Sequence, residues 1–97
     1  MHGLVVISAG FAEVGGDQAG TERELVQLAR RNGMRMIGPN CMGVVNTSSA
    51  VSMNATFAPA PPAPGRVGFA SQSGGLGIEL LIRSSELGLG VSTFVSM

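Results

Sequence analysis

The sequence contains no lysine, tryptophan or tyrosine, and one cysteine and one histidine each. A lone cysteine excludes an internal disulfide and any metal site built from thiolates alone. With His2 as the single imidazole, most other metal-ligand sets are excluded as well. Arginine supplies all the positive charge, six residues against six carboxylates, so the formal charge is zero. That balance argues against a nucleic-acid surface or an anionic-membrane surface. No apolar run approaches the ~20 residues that cross a bilayer. Met1-His2-Gly3 is not a basic leader, and the expectation is a cytoplasmic protein without a signal peptide.

What is present suits a small α/β chain. The 97 residues are 44% apolar, enough for one small core and too few for two complete domains. The glycines sit mostly at the ends of apolar runs, where such a chain makes its turns.

Leu4-Val5-Val6-Ile7-Ser8, closed by Ala9-Gly10, reads as a strand buried on both faces, because it is apolar rather than alternating. Thr21-Glu22-Arg23-Glu24 reads as a capping box with Thr21 as N-cap. Leu25, Val26, Leu28 and Ala29 follow at helical spacing, and Arg30 and Arg31 complement the dipole in the last turn. Asn32-Gly33 closes that helix. Met34-Arg35-Met36-Ile37 reads as a second strand, stopped by Gly38-Pro39. Strand, helix and strand form one βαβ unit, for which a right-handed crossover is expected.

Small and polar residues dominate 38–65, and no element is predicted there. Ala58-Pro59-Ala60-Pro61-Pro62-Ala63-Pro64 reads as an extended interdomain spacer. The pattern then recurs. Arg66–Ala70 is a strand and 71–75 a tight turn. Leu76–Leu87 is a largely buried helix with Leu76, Leu80 and Leu81 on one face, filled out by Ile78, Ile82 and Leu87. Gly88 caps it, and Val91–Val95 is a further strand. The predicted fold class is α/β, with two βαβ units. A complete doubly wound sheet has five or six strands, so the expectation is a fragment of a larger protein.

The turn Ser71-Gln72-Ser73-Gly74-Gly75 is the most informative local feature. A strand runs into it and a helix leaves it at once. Free amides at a helix N-terminus attract anions, adjacent glycines let a ligand approach the backbone, and serines add hydroxyl donors. Ser71, Ser73, Gly74 and Gly75 are therefore a candidate phosphate site. The plainer reading is that Ser73 caps the helix and the glycines make the turn. A third reading makes Ser73 a hydrolase nucleophile, but the pentad has Ser where that motif begins with Gly, and no histidine follows it. There is no lysine for a Walker A loop and no G-x-G-x-x-G. If the first two strands are parallel neighbours, Ser8-Ala9-Gly10 and Asn40-Cys41-Met42 share one sheet edge. Cys41 reads first as a small buried hydrophobe. Glu13 reads as a solvated loop carboxylate.

Four ordered segments carry a resemblance that covers nearly the whole chain. Val-Ile-Ser-Ala-Gly-Phe-Ala-Glu (6–13), Met-Ile-Gly-Pro-Asn-Cys-Met-Gly (36–43), Met-Asn-Ala-Thr-Phe-Ala-Pro (53–59) and Gly-Phe-Ala-Ser-Gln-Ser-Gly-Gly-Leu-Gly (68–77) resemble the NDP-forming acyl-CoA synthetases. These are relatives of the succinyl-CoA synthetase α subunit. Asn-Ala-Thr-Phe looks like the ADP-forming acetyl-CoA synthetase branch, some of whose members are fused to a GNAT domain.

The resemblance implies the end of a Rossmann-like CoA-binding domain over 1–50, a Pro-rich linker over 51–65, and the start of a flavodoxin-like ligase domain over 66–97. It implies that Ser8, Ala9, Gly10, Asn40, Cys41 and Met42 line a CoA pocket, and that Ser71, Ser73, Gly74 and Gly75 hold the phosphate of a phosphohistidine. The family joins an acid to CoA with ATP, giving ADP and phosphate. Its catalytic histidine, its Gly-rich CoA loop and its magnesium-dependent ATP-grasp part (a domain or a β subunit) match nothing in this sequence. No catalytic residue and no metal ligand is therefore assigned here, and the chain alone is expected to be inactive. A non-catalytic CoA- or nucleotide-binding module is the alternative.

Overall fold

A computed structural model describes residues 1–97. The chain is α/β, with two sheets and two main helices. The first unit runs β1 (Gly3–Val5), a single 3-10 turn (Ala12–Val14), α1 (Gln18–Arg31) and β2 (Arg35–Ile37). β1 and β2 pair in parallel, Leu4 opposite Met36, so this is the expected βαβ unit. The second unit is β5 (Pro64–Ser71), α2 (Gly74–Glu86) and β6 (Val91–Ser96), with β5 and β6 again parallel.

Between them, where no element is predicted, lies a hairpin. β3 (Gly43–Asn46) and β4 (Met53–Thr56) pair antiparallel, and β3 also pairs antiparallel with β6. The four-stranded sheet therefore has the order β4-β3-β6-β5. Within 51–65, β4 occupies Met53–Thr56, and β5 begins at Pro64. Val44-Val45 is too short an apolar run to announce a strand, but pairing on both edges makes β3 an interior one. The hairpin loop is tied by Asn46 Oδ1 accepting the Ser48 amide at 3.0 Å, and by the Val51 amide donating to Ser48 O at 3.0 Å.

Three further expectations change. The first strand stops at Val5 and is not buried on both faces: Val5 is 36% exposed in a two-stranded sheet, and Ile7, beyond the strand, is 55% exposed. Helix α1 starts a turn before Thr21, with Asp17 at the N-cap; the Asp17 carbonyl accepts the amides of Gly20 and Thr21. Glu22 then accepts the Ala12 amide at 3.0 Å, tying the first turn to the preceding loop. The C-terminal end is as read: Arg30 and Arg31 fill the last turn, Asn32 caps it, and Gly33 takes φ +70.

Helix α2 is not largely buried. Its inward stripe is Gly77, Leu81 and Ser84, while Leu76 and Leu87 are mostly in solvent. Gly77 sets this rotation, because a Cβ there would lie 2.7 Å from Phe94 Cζ. The core is Met42, Val45, Leu81, Val91 and Phe94, with Ala58, Phe69 and Ile78 packed against it. Each fully buried large side chain in it stabilises the fold by about 1.5–3 kcal/mol. All five lie in the second sheet, its helix, or the segment leading into β3. The Cα radius of gyration is 14.5 Å, against roughly 12.5 Å for a compact domain of this length. Two sheets that share no strand account for the excess.

Candidate functional site

Residues 38–42 leave the first sheet and enter the second. Because β1 and β2 are parallel neighbours, the loops after them lie side by side, as the sequence predicts: the Asn40 amide donates to the Ser8 carbonyl at 2.9 Å. Ser8, Ala9, Gly10 and Asn40 form an exposed ridge. Gly38 lies tight against the end of β1, where a Cβ would overlap the Val6 carbonyl oxygen. Its φ of +93 is also one that a side chain disfavours.

Cys41 and Met42 lie below this ridge. Cys41 is 4% exposed, and its thiol donates to the Val6 carbonyl at 3.3 Å. Burial pushes the Cys41 thiol pKa up, which disfavours the thiolate. Met42 is 1% exposed and belongs to the core. Its amide donates to Ser96 Oγ at 3.0 Å. The side chains of Cys41 and Met42 therefore point into the protein, and of the six candidate CoA residues four share the open surface.

Glu13 is not merely solvated. Its carboxylate accepts the amides of Gly10 and Phe11, and these bonds hold its pKa below the ordinary glutamate value. The Gly10 amide is thus engaged within the loop. The spacing Gly10-x-x-Glu13 was the available signal, since a carboxylate three residues on can reach back to an orphan amide.

The second candidate region begins where β5 ends. Ser71 is 7% exposed; its hydroxyl donates to Ser73 O at 2.9 Å and accepts the Ser73 amide at 3.2 Å. Ser71 is therefore a brace within the turn. Ser73 is the N-cap in extended conformation, and its Oγ accepts the Leu76 amide at 3.3 Å. The Gly77 amide goes to Ser73 O at 2.9 Å. The amides of Gly74 and Gly75 find no acceptor in the protein. A Cβ on Gly75 would meet nothing within 4 Å, so the approach to these amides is open. Two free N–H groups at the positive end of a 13-residue helix, with the Ser73 hydroxyl proton beside them, suit an oxyanion. The nucleophile reading lacks a base: Ser73 Oγ is a cap, and His2 sits at the start of β1 in the other sheet.

The structure brings the two regions together. A Cβ on Gly74 would stand 3.8 Å from Met42 Cβ, and one on Gly77 the same distance from Met42 Sδ. The loop from the first sheet thus passes directly under the start of α2.

No protein-family model matches the chain. Over all 97 residues it is 47% identical to the ADP-forming acetate–CoA ligase I of Archaeoglobus fulgidus, covering 14% of that protein. It is 43% identical, again over 97 residues, to the α subunit of the ADP-forming acetate–CoA ligase II of Pyrococcus furiosus, covering 21% of it. The chain matches, end to end, a segment of the ADP-forming acyl-CoA ligases. The fold agrees with this kinship. The structure of the dinucleotide-forming acetyl-coenzyme A synthetase 1 of Candidatus Korarchaeum cryptofilum, in complex with phosphate and ADP, superposes with a TM-score of 0.87. That match has 42% identity and covers 98% of this chain and 20% of that one. The chain thus spans between 14% and 21% of the length of these ADP-forming ligases. No helix in it is long and apolar enough to cross a membrane.

Proposed function

We propose that the protein carrying this chain is an acid–CoA ligase. It joins a carboxylate to CoA with ATP and releases ADP and phosphate. In this reading ATP phosphorylates a histidine outside the matched segment, and ADP leaves. The phosphoryl group then passes to a carboxylate oxygen of the acid. The CoA thiolate attacks the acyl carbon, the carbon–oxygen bond to phosphate breaks, and inorganic phosphate departs.

The two half-sites take different parts. The open amides of Gly74 and Gly75, with the Ser73 hydroxyl, hold phosphoryl oxygens, and Ser71 keeps the turn in shape. The ridge of Ser8, Ala9, Gly10 and Asn40 receives CoA, with Cys41 and Met42 forming its floor. The observation that carries the reading is that unengaged amides at the start of α2 abut the loop through Met42. Such a contact suits a reaction in which thiol and phosphoryl group must meet on one acyl carbon.

The proposed division keeps 1–50 as the CoA-binding part, 51–65 as connector and 66–97 as the opening of the ligase domain. The pairing of β3 with β6 favours drawing the second sheet's share back to Gly43. Magnesium is proposed to act with the ATP-grasp domain or β subunit. That part is the partner proposed here, and the cytoplasm, where CoA and ATP are at hand, the compartment. The 97-residue chain alone is expected not to turn over and not to bind CoA at micromolar concentration.

The test is direct. The full-length protein with its partner, given short carboxylic acids, CoA and ATP, is expected to form acyl-CoA with equimolar ADP. CoA binding without any turnover would favour the non-catalytic module.

A further inference from the structure

The last residue of β6 touches both half-sites. Ser96 is the strand partner of Ser71, which opens the phosphate turn, and the Met97 amide beside it donates to Ser71 O at 2.8 Å. On its side chain, Ser96 Oγ accepts the Met42 amide at 3.0 Å. Ser96 is 1% exposed and Met42 likewise, so water does not compete for this bond. The residue before Met42 is fastened the opposite way, by the Cys41 thiol to the Val6 carbonyl of the first sheet. The dipeptide Cys41-Met42 is therefore a joint, with one arm to each sheet.

We infer that Ser96 is a positioning residue, which through the Met42 amide fixes the CoA ridge against the phosphate turn. This rests on the ligase reading above. A serine is apt at this position. The strand interior needs a small side chain under the loop, and the loop needs one acceptor for an amide that the β3 ladder does not use. An apolar residue of the same size would fill the space and leave the buried amide unpaired. The loop would then settle in another position, and the thiol of bound CoA would be misplaced relative to the acyl phosphate. Phosphoryl transfer from ATP to the enzyme does not involve the ridge and would continue.

The experiment compares Ser96→Ala, Ser96→Thr and Ser96→Val in the full-length protein with its partner. Thr and Val have nearly the same shape and differ in the hydroxyl, so both meet the same packing. The expected result is an approximately tenfold or greater rise in KM for CoA in the Ala and Val variants, with enzyme phosphorylation by ATP unchanged. Amide hydrogen exchange in the peptide spanning 38–43 should quicken by a similar factor. Thr should restore both readouts. Equal KM for CoA and equal exchange in Thr and Val would overturn the inference, as would loss of folding in all three variants, which would make Ser96 a packing position. A wild-type protein that makes no acyl-CoA at all would instead remove the ligase reading and this inference with it.

Discussion

Gly77 faces the ring of Phe94 so closely that a Cβ on the glycine would lie 2.7 Å from Cζ. Phe94 is fully buried in the core, so a shift of its ring disturbs the side chains packed with it. Gly77→Val is expected to destabilise the chain by roughly 1–3 kcal/mol, since overpacking outweighs the small gain in helix propensity. Gly75→Ala, whose Cβ meets nothing, should by contrast leave the melting temperature unchanged or slightly raised. Thermal denaturation of both variants checks this, and equal effects would contradict the packing account.

The free amide of Gly74 can be removed without breaking the helix. Proline is favoured at the first helical position, and Ser73 already has the extended conformation that precedes proline well. Gly74→Pro together with Ser73→Ala is expected to cut phosphoenzyme formation from ATP at least tenfold in the full-length protein. Loss of the cap alone should cost about 1 kcal/mol of stability. Undiminished labelling by radioactive ATP would remove the phosphate role of this turn.

Cys41 combines burial with a thiol pKa pushed upward, and both suppress reactivity. Alkylation by iodoacetamide at neutral pH should be slow in the native protein and should speed up greatly in denaturant. Rapid labelling of the folded protein would mean that the loop 38–42 opens readily.

The Glu13 carboxylate braces the loop after β1 through the amides of Gly10 and Phe11. Its pKa is depressed in the folded state, so the brace is fully present above the ordinary carboxylate pKa of about 4.3 and is lost as pH falls through the lower folded value. The Gly10 amide should be protected from hydrogen exchange at neutral pH and lose that protection in acid. Glu13→Gln should show weakened protection at every pH, and a wild-type profile in that variant would show that the charge is not what holds the loop.

The two βαβ units, the caps at Asn32-Gly33 and Ser73, and the burial of Cys41 could be read from local signals: apolar runs, helical spacing and left-handed or capping residues. So could the segments shared with the ADP-forming ligases, because words such as Ser-Gln-Ser-Gly-Gly keep their order along the chain. The hairpin β3–β4 could not. β3 is held on its other edge by β6, nearly fifty residues away, and no local window along the chain contains that partner. For the same reason Gly77 faces inward and Leu76 outward, because the ring of Phe94 decides which side of α2 approaches the sheet.

Local sequence therefore determined the two βαβ units, the C-terminal cap of α1 and the N-terminal cap of α2, with the free amides that follow Ser73. Tertiary structure alone decided that Met42 lies beneath α2 and that its amide ends on Ser96. The physical reason is that capping and periodicity act within a few residues, whereas a buried hydrogen bond between positions 42 and 96 exists only once the loop has packed against β6 and α2.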